Sequence, residues 1–201
     1  MPFIEYGGKR ILFIHIPKTG GTTIENWLRS LGPVHFYSFG VPTASRCTPQ
    51  HFRRQDFRDF FADGYFDYAF TMVRNPYHRI ASEYRMRAMM QGGGFFKSWP
   101  SFSLWLEDNL AKQKSMPFHL DNHLRAQWEF IGSDVEVFRL EDGIEIALEK
   151  VSSKLGVAHP MDIPVEASTV AAPIAVNWDR VDRLRVQDHY STDFREFNYA
   201  M

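Results

Sequence analysis

Two short segments of the sequence combine anion-binding side chains with backbone that can approach an anion closely. In "RILFIHIPKTGGTT", Lys18 is followed by two glycines and by threonines. In "FTMVRNPYHRIASEY", Arg74 comes before the hydroxyl group of Ser82. Lysine, arginine and hydroxyl groups stabilise oxyanions, and arginine does so through two parallel hydrogen bonds. The two segments therefore predict two anion sites.

The first segment, "PKTGGTT", places several backbone N–H groups at the start of a helix that follows a strand. These amides have no partner within the helix, and the positive end of the helix dipole favours an anion there. We expect the glycines to leave space for an oxyanion and the threonines to add hydroxyl donors. The expected contacts are Lys18, Thr19, Gly20, Gly21, Thr22 and Thr23.

The same residues also fit a purely structural role. Thr22 and Glu25 have the spacing of a helix capping box, and a Gly-Gly pair often forms a turn. The order of residues differs from the G-x-x-x-x-G-K-[ST] phosphate loop, because Lys18 precedes the glycines. No acidic strand end offers an obvious magnesium ligand, so we expect any anion to be held without a metal.

The second segment predicts a strand that ends at Arg74 and a helix that begins directly after it. Asn75 is the expected N-cap, and Pro76 occupies the first helical position. The fork of Arg74 suits a terminal phosphate, which the hydroxyl of Ser82 can share. An arginine paired with a neighbouring carboxylate and a serine on a solvated helix would explain the same residues.

Apolar runs alternate with amphipathic segments along the chain. The runs at 10–16, 66–73 and 134–140 predict buried strands, and helices are predicted at 22–31, 49–61, 75–90, 101–111, 141–156 and 178–189. This alternation indicates a parallel sheet that binds ligands beyond the carboxyl ends of its strands. We predict an α/β protein with a P-loop-like three-layer fold, in which helices flank a central parallel sheet. A single domain is expected over 1–201.

Composition limits the classes of partner. The 201 residues carry a formal net charge of −1, so no global positive field draws the protein to nucleic acid. Cys47 is the only cysteine, which excludes an internal disulfide and fits a reducing compartment. The sequence has neither an apolar run of the ~20 residues that span a membrane nor a signal-peptide core. We expect a cytoplasmic protein with no integral membrane segment.

The two anion segments together resemble a known family. "HIPKTGGTT" and "VRNPYHRIASEY" look like the phosphosulfate loop and the 3′-phosphate motif of sulfotransferases that use 3′-phosphoadenosine 5′-phosphosulfate. The resemblance points to the carbohydrate branch, which includes the heparan sulfate 2-O- and 6-O-sulfotransferases and short bacterial relatives. "DVEVFRLEDGIEIALEKVSSKLGV" and "VDRLRVQDHYSTDFREFNY" are similar to later segments of the same family.

This resemblance implies a reaction and a set of roles. Lys18 would lie against the oxygen that bridges phosphate and sulfate, in place of both a metal and the P-loop lysine. The acceptor would be a carbohydrate or glycoconjugate hydroxyl, activated by a histidine base. His51 is the first candidate, because relatives often carry the catalytic histidine in a comparable position. The alternatives are His35, His119 and His123, whereas His15 is expected to be a hydrogen-bonded core residue.

Several alternatives remain open at the level of sequence. A small-molecule kinase would share the fold but require magnesium, and a non-catalytic nucleotide-binding module would bind without turnover. Arg125 and Gln127 are further candidate contacts or part of a solvated helix, and the three glycines at 92–94 indicate a hinge. The expected partner is a small-molecule or saccharide acceptor, and a homodimer is one open alternative for the assembly of the chain.

Overall fold

A mixed five-stranded sheet forms the centre of the molecule. The computed structural model describes residues 1–38, 40–91, 99–158 and 174–201. Its strands are β1 (Phe3–Tyr6), β2 (Lys9–Ile14), β3 (Val34–His35), β4 (Tyr68–Val73) and β5 (Val135–Arg139), in the order β3-β1-β2-β4-β5. The three predicted strands are β2, β4 and β5, and they pair in parallel. β1 was not predicted, and it runs antiparallel to both of its neighbours.

The β1–β2 connection is a two-residue hairpin. Tyr6 pairs with Lys9, and the intervening Gly7 and Gly8 have φ values of 55° and 76°. Two consecutive left-handed residues are the requirement of a type I′ turn, which glycine meets without strain. The Gly-Gly pair in "EYGGKR" is thus a hairpin signal that accounts for the additional strand.

In the described ranges, six α-helices pack around the sheet. They are α1 (Gly21–Leu31), α2 (Pro76–Gln91), α3 (Phe102–Ser115), α4 (Ile144–Leu155), α5 (Arg180–His189) and α6 (Ser191–Glu196). The last of these was not predicted. The predicted helix at 49–61 is wrong, because this stretch contains two 3-10 helices, Pro49–His51 and Arg54–Asp59. Phe52 and Arg53 separate them, with ψ values of 152° and 162° that no helix accommodates.

Helices cover both faces of the sheet. Along β2, Leu12 and Ile14 enter one hydrophobic core, and Ile11 and Phe13 enter the other. The core of Leu12 contains residues of α2, α3, α5 and α6, whereas that of Ile11 contains residues of α1 and α4. The helices that follow β2 and β4 therefore pack on opposite faces.

Some sequence predictions fall outside the described residues. The candidate hinge, the glycines at 92–94, lies there. Among the helices that the structure describes, none combines the length and the apolar character needed to cross a membrane.

Candidate active site

The two predicted anion loops meet at the carboxyl ends of β2 and β4. Nη1 of Arg74 donates a hydrogen bond to the backbone carbonyl of Lys18 at 3.3 Å. Nζ of Lys18 contacts Sδ of Met86 at 3.3 Å. Within the described part of the chain, neither Lys18 nor Arg74 forms a salt bridge with a carboxylate. Two partly buried cationic residues are therefore in contact through the backbone of Lys18, and in the described chain neither is paired with a carboxylate in a salt bridge.

Burial disfavours the charged form of both side chains. It lowers the pKa of Lys18, with further lowering from Arg74 and Arg87 and opposition from the charge of Glu83. Burial likewise lowers the pKa of Arg74. Partial desolvation of two neighbouring positive charges is unfavourable unless an anion accompanies them. The arrangement thus suits an oxyanion.

The backbone of the first loop is held by its own residues. Lys18 has a φ of 69° and Gly20 a φ of 87°, both in the left-handed region. The hydroxyl of Thr19 is fully buried and donates to the carbonyl of Ile16 at 2.8 Å, so it fixes the loop. Gly20 is the N-cap of α1, and no side chain caps the helix. The alternative interpretation of Thr22 and Glu25 as a capping box does not hold, because it would require Thr22 at the N-cap.

Close packing explains why glycine occupies both position 20 and position 21 of the loop. A Cβ atom at Gly21 would lie 2.3 Å from Nε2 of His15, and one at Gly20 would lie 3.1 Å from Cδ1 of Leu140. Side chains of the protein occupy these directions, so we correct the sequence argument that the glycines are needed to make room for an oxyanion. Of the remaining loop threonines, Thr23 is buried and Thr22 is partly exposed.

The second loop is positioned by side-chain contacts from far along the chain. Asn75 accepts a hydrogen bond from the backbone of Tyr77 at 2.9 Å, which confirms its N-cap role. The amide of Gln127 bonds both the N–H and the carbonyl of Arg74, each at 2.8 Å. Gln127 is fully buried, so it positions Arg74 and is not open to a ligand. Ser82 is buried on α2.

Three histidines form a row in which each imidazole contacts its own carboxylate through Nδ1. These contacts are His15 to Glu25 at 2.6 Å, His51 to Asp121 at 2.7 Å and His123 to Glu83 at 2.7 Å. The ring of His51 meets the other two edge-on, with centroid distances of 5.2 Å to His15 and 4.8 Å to His123. An Nδ1–H that donates to a carboxylate leaves the Nε2 lone pair available.

His51 is held in its neutral form. Burial lowers its pKa to about 3, the charges of His123 and His15 act in the same direction, and the hydrogen bond to Asp121 opposes them. Burial acts to raise the pKa of Asp121, but the hydrogen bonds from His51 and Thr48 outweigh it and hold that pKa below its usual value. The pair therefore combines a neutral imidazole with an ionised carboxylate.

Asp121 lies on an unusual stretch of backbone. Leu120, Asp121 and Asn122 have φ values of 51°, 57° and 65°, three consecutive left-handed residues. Asp121 also accepts hydrogen bonds from the backbone and hydroxyl of Thr48, at 2.7 and 2.8 Å. The amide of Asn122 donates to the carbonyl of His51 at 3.0 Å. Strained backbone held by several contacts is typical of functional positions.

The candidate bases have different surroundings in the structure. His51 and His123 lie in the histidine row. His35 is exposed on β3, where its ring stacks on that of Phe3 at 4.8 Å. His119 contacts Asn109 through Nε2 at 2.8 Å. His15 is buried beside Glu25, as expected of a hydrogen-bonded core residue.

Comparison with known proteins assigns the chain to a family. The model of the Sulfotransferase family matches residues 2–200, so the chain belongs to this family, and its members are transferases of sulfuryl groups. No match was found among curated proteins or solved structures. The predicted membership of the sulfotransferase family is thereby confirmed.

Proposed function

We propose that this sulfotransferase moves the sulfuryl group of 3′-phosphoadenosine 5′-phosphosulfate to a hydroxyl group of a carbohydrate or glycoconjugate, without a metal ion. The observation that carries the proposal is the pair formed by Lys18 and Arg74, two adjacent cations with no carboxylate partner in the described chain. A donor with phosphate groups at both ends of its ribose supplies the missing negative charge.

In this proposal the two loops bind opposite ends of the donor. Lys18 and the residues at 19–23 hold the 5′-phosphosulfate in a P-loop-like arrangement at the N-terminus of α1, where the helix dipole favours an anion. Arg74 and Ser82 hold the 3′-phosphate. Negative charge grows on the phosphate oxygen as its bond to sulfur breaks, and Lys18 stabilises that charge.

The acceptor hydroxyl attacks sulfur in line with the leaving phosphate and gives its proton to Nε2 of His51. Asp121 supports this role, because its hydrogen bond to Nδ1 fixes the ring and stabilises the imidazolium that forms. The low pKa of His51 keeps the imidazole unprotonated throughout the neutral range but also makes it a weak base, so proton transfer relies on the ionised Asp121 to stabilise the imidazolium.

Two other functions compete with this one. A kinase would need magnesium and the Walker A residue order, which the sequence does not have. A non-catalytic module would bind the desulfated nucleotide and transfer nothing. Titration calorimetry without magnesium, with 3′-phosphoadenosine 5′-phosphate and ATP in parallel, tests the donor. We expect micromolar or tighter binding of the former and much weaker binding of ATP. A magnesium-dependent preference for ATP would favour the kinase.

The role of His51 has its own test. We expect His51→Ala to lower sulfuryl transfer by about 10²–10⁴-fold, the usual contribution of a general base, while nucleotide affinity stays within a small factor. Transfer from labelled donor to a panel of saccharides measures this. His35→Ala is the matched control, because that histidine lies outside the row. Full activity of His51→Ala would exclude His51 as the base.

A further inference from the structure

We propose that His51, Asp121 and His123 form a binding site for a zinc-class divalent metal ion, and that a metal bound there inhibits the enzyme. One ligand atom from each of these three residues lies within 4.8 Å of the other two. Two imidazoles and a carboxylate are the donor set that Zn²⁺ accepts and that Mg²⁺ does not favour. The metal binding stands on this geometry alone, whereas the inhibition rests on the proposed function.

The orientation of the rings supports coordination. Nδ1 of His123 is bonded to Glu83, a carboxylate with 1% of its side chain exposed, so Nε2 is the ligand atom that remains. Histidines that bind metals almost always donate the second ring N–H to a carboxylate or carbonyl, which fixes the tautomer and raises the basicity of the ligand. The contact between His123 and Glu83 is of this kind.

The carboxylate ligand is also held in place. Asp121 accepts hydrogen bonds from the backbone N–H of Thr48 at 2.7 Å and from its hydroxyl at 2.8 Å. These two contacts orient the carboxyl group independently of His51, so Asp121 would stay in position when a metal replaces its hydrogen bond to the imidazole. His123 and Asp121 thus each have an outer partner, Glu83 and Thr48, whereas His51 exchanges its contact with Asp121 for the metal.

Binding requires a modest contraction of the cluster. Tetrahedral zinc with bonds of about 2.0–2.1 Å separates its ligand atoms by roughly 3.4 Å, and the three atoms span up to 4.8 Å. The edge-on contact of His51 and His123, with centroids 4.8 Å apart, allows both rings to turn toward a common point. Water or an acceptor hydroxyl would complete the coordination.

Occupation of this site removes the proposed base. A metal that takes Nδ1 of His51 from Asp121 leaves the ring hydrogen on Nε2, which then cannot take a proton from the acceptor, so the metal and the proton-transfer step exclude one another. Filling the site should therefore lower turnover by about 10²-fold or more, the contribution of the base. Donor binding at Lys18 and Arg74 should not change.

Cobalt provides a direct readout of the site. The full-length protein, freed of metal by a chelator, is titrated with Co²⁺, and the visible d–d absorption reports the coordination number. We expect one equivalent per chain with an intense four- or five-coordinate spectrum, displaced by Zn²⁺ and unaffected by Mg²⁺. His123→Gln should abolish the spectrum. Glu83→Gln should weaken binding by about 10–100-fold, as loss of an outer partner does.

His35→Gln is the control, since it removes an exposed imidazole outside the cluster. A spectrum equally reduced by this variant, or unchanged in His123→Gln, would overturn the site, as would no binding at all to the wild-type protein. Nucleotide calorimetry on each variant identifies misfolded protein, and Glu83→Gln and Asp121→Asn provide further variants if His123→Gln misfolds. Metal binding without inhibition of transfer would leave the site intact and contradict the role of His51.

Discussion

In the proposed function, donor binding depends on Lys18 and Arg74. Both are adjacent to the carboxyl end of a strand. The position of such a residue can be predicted once the strand itself is recognised in the sequence. Their proximity is a consequence of the parallel pairing of β2 with β4, which brings two segments separated by 56 positions together. The sequence thus predicts the residues, and the pairing of the strands makes them one site.

Replacement of Lys18 should affect turnover more than affinity. The charge on the leaving oxygen exists mainly in the transition state, so Lys18→Ala should lower kcat by about 10²–10³-fold and donor affinity much less. Steady-state kinetics together with calorimetry separate the two effects. Lys112→Ala, a surface lysine paired with Asp108, is the control. An unchanged kcat would contradict the assigned role.

Replacement of Arg74 should affect affinity instead. A charge-assisted hydrogen bond contributes about 1.5–3 kcal/mol, so Arg74→Ala should weaken binding of 3′-phosphoadenosine 5′-phosphate by roughly 10–100-fold. Affinity for a nucleotide that lacks the 3′-phosphate should hardly change. Competition binding with both nucleotides measures the ratio, and the exposed Arg195 provides the control substitution. Equal losses for the two nucleotides would place Arg74 elsewhere on the donor.

Asp121 and Glu83 were not predicted as site residues, and Gln127 was a candidate ligand contact rather than a support for the backbone of Arg74. Asp121 contacts a histidine 70 positions away, and Gln127 contacts Arg74 at a distance of 53 positions. Their roles depend on the route of the chain between 113 and 130, and no local pattern reports that route. A weak signal does exist in "HLDNH", where an acid stands between two histidines.

At the scale of elements, the start of α1 is the most constrained junction. His15 occupies the space beside Gly21, and it is fixed there by Glu25 of α1 and by Gln50, whose amide lies 3.0 Å from Nδ1. The buried imidazole of His15 thereby connects α1, the end of β2 and the 3-10 helix at Pro49–His51. Gly21 was predicted to leave space for an oxyanion, but a glycine is required there because His15 packs closely against it.

Gly21→Ala should therefore destabilise the protein. The new methyl group would lie 2.3 Å from the ring of His15, and overpacking of this kind typically costs about 1–3 kcal/mol. Urea unfolding measures the change in the free energy of unfolding. The control is Gly32→Ala at the other end of α1, where a Cβ atom meets nothing within 4 Å. Equal stability of Gly21→Ala and the wild type would show that His15 moves freely.

Elements with strong local signals were predicted well. The strands β2, β4 and β5 are apolar and β-branched, and α2 has its N-cap and proline in sequence. β3 was missed because two residues have no periodicity. The error at 49–61 arose from phenylalanines with helical spacing, although the extended backbone at Phe52 and Arg53 divides the segment.

For the whole molecule, the donor should act as a link between two cores. α1 packs in the core of Ile11 and α2 in that of Leu12, and the proposed nucleotide contacts the start of one helix and the body of the other. A ligand that binds only the folded state stabilises it by mass action. The family assignment and the mixed sheet agree with such a site, since both loops lie at one edge of the sheet.

Ligand-induced stabilisation is accordingly expected. At about 100 times its Kd, 3′-phosphoadenosine 5′-phosphate should raise the free energy of unfolding by about 2.7 kcal/mol. Denaturant unfolding with and without the nucleotide measures this, and ATP at the same concentration serves as the comparison. If Arg74→Ala shows the same rise at the same nucleotide concentration, the nucleotide does not bridge the two loops.

The left-handed stretch at 120–122 has a consequence for the chemistry of its central residue. Among non-glycine residues, aspartate and asparagine tolerate this backbone best, so exchanging one for the other at Asp121 leaves the loop shape in place. The exchange removes the negative charge and turns one of the two accepting oxygens into an N–H donor, so it weakens the contact that selects which nitrogen of His51 carries hydrogen. At this position the shape of the backbone and the charge of the side chain can therefore be varied separately. Asp121→Asn would keep the loop in place and allow the imidazole of His51 to adopt either of its neutral tautomers.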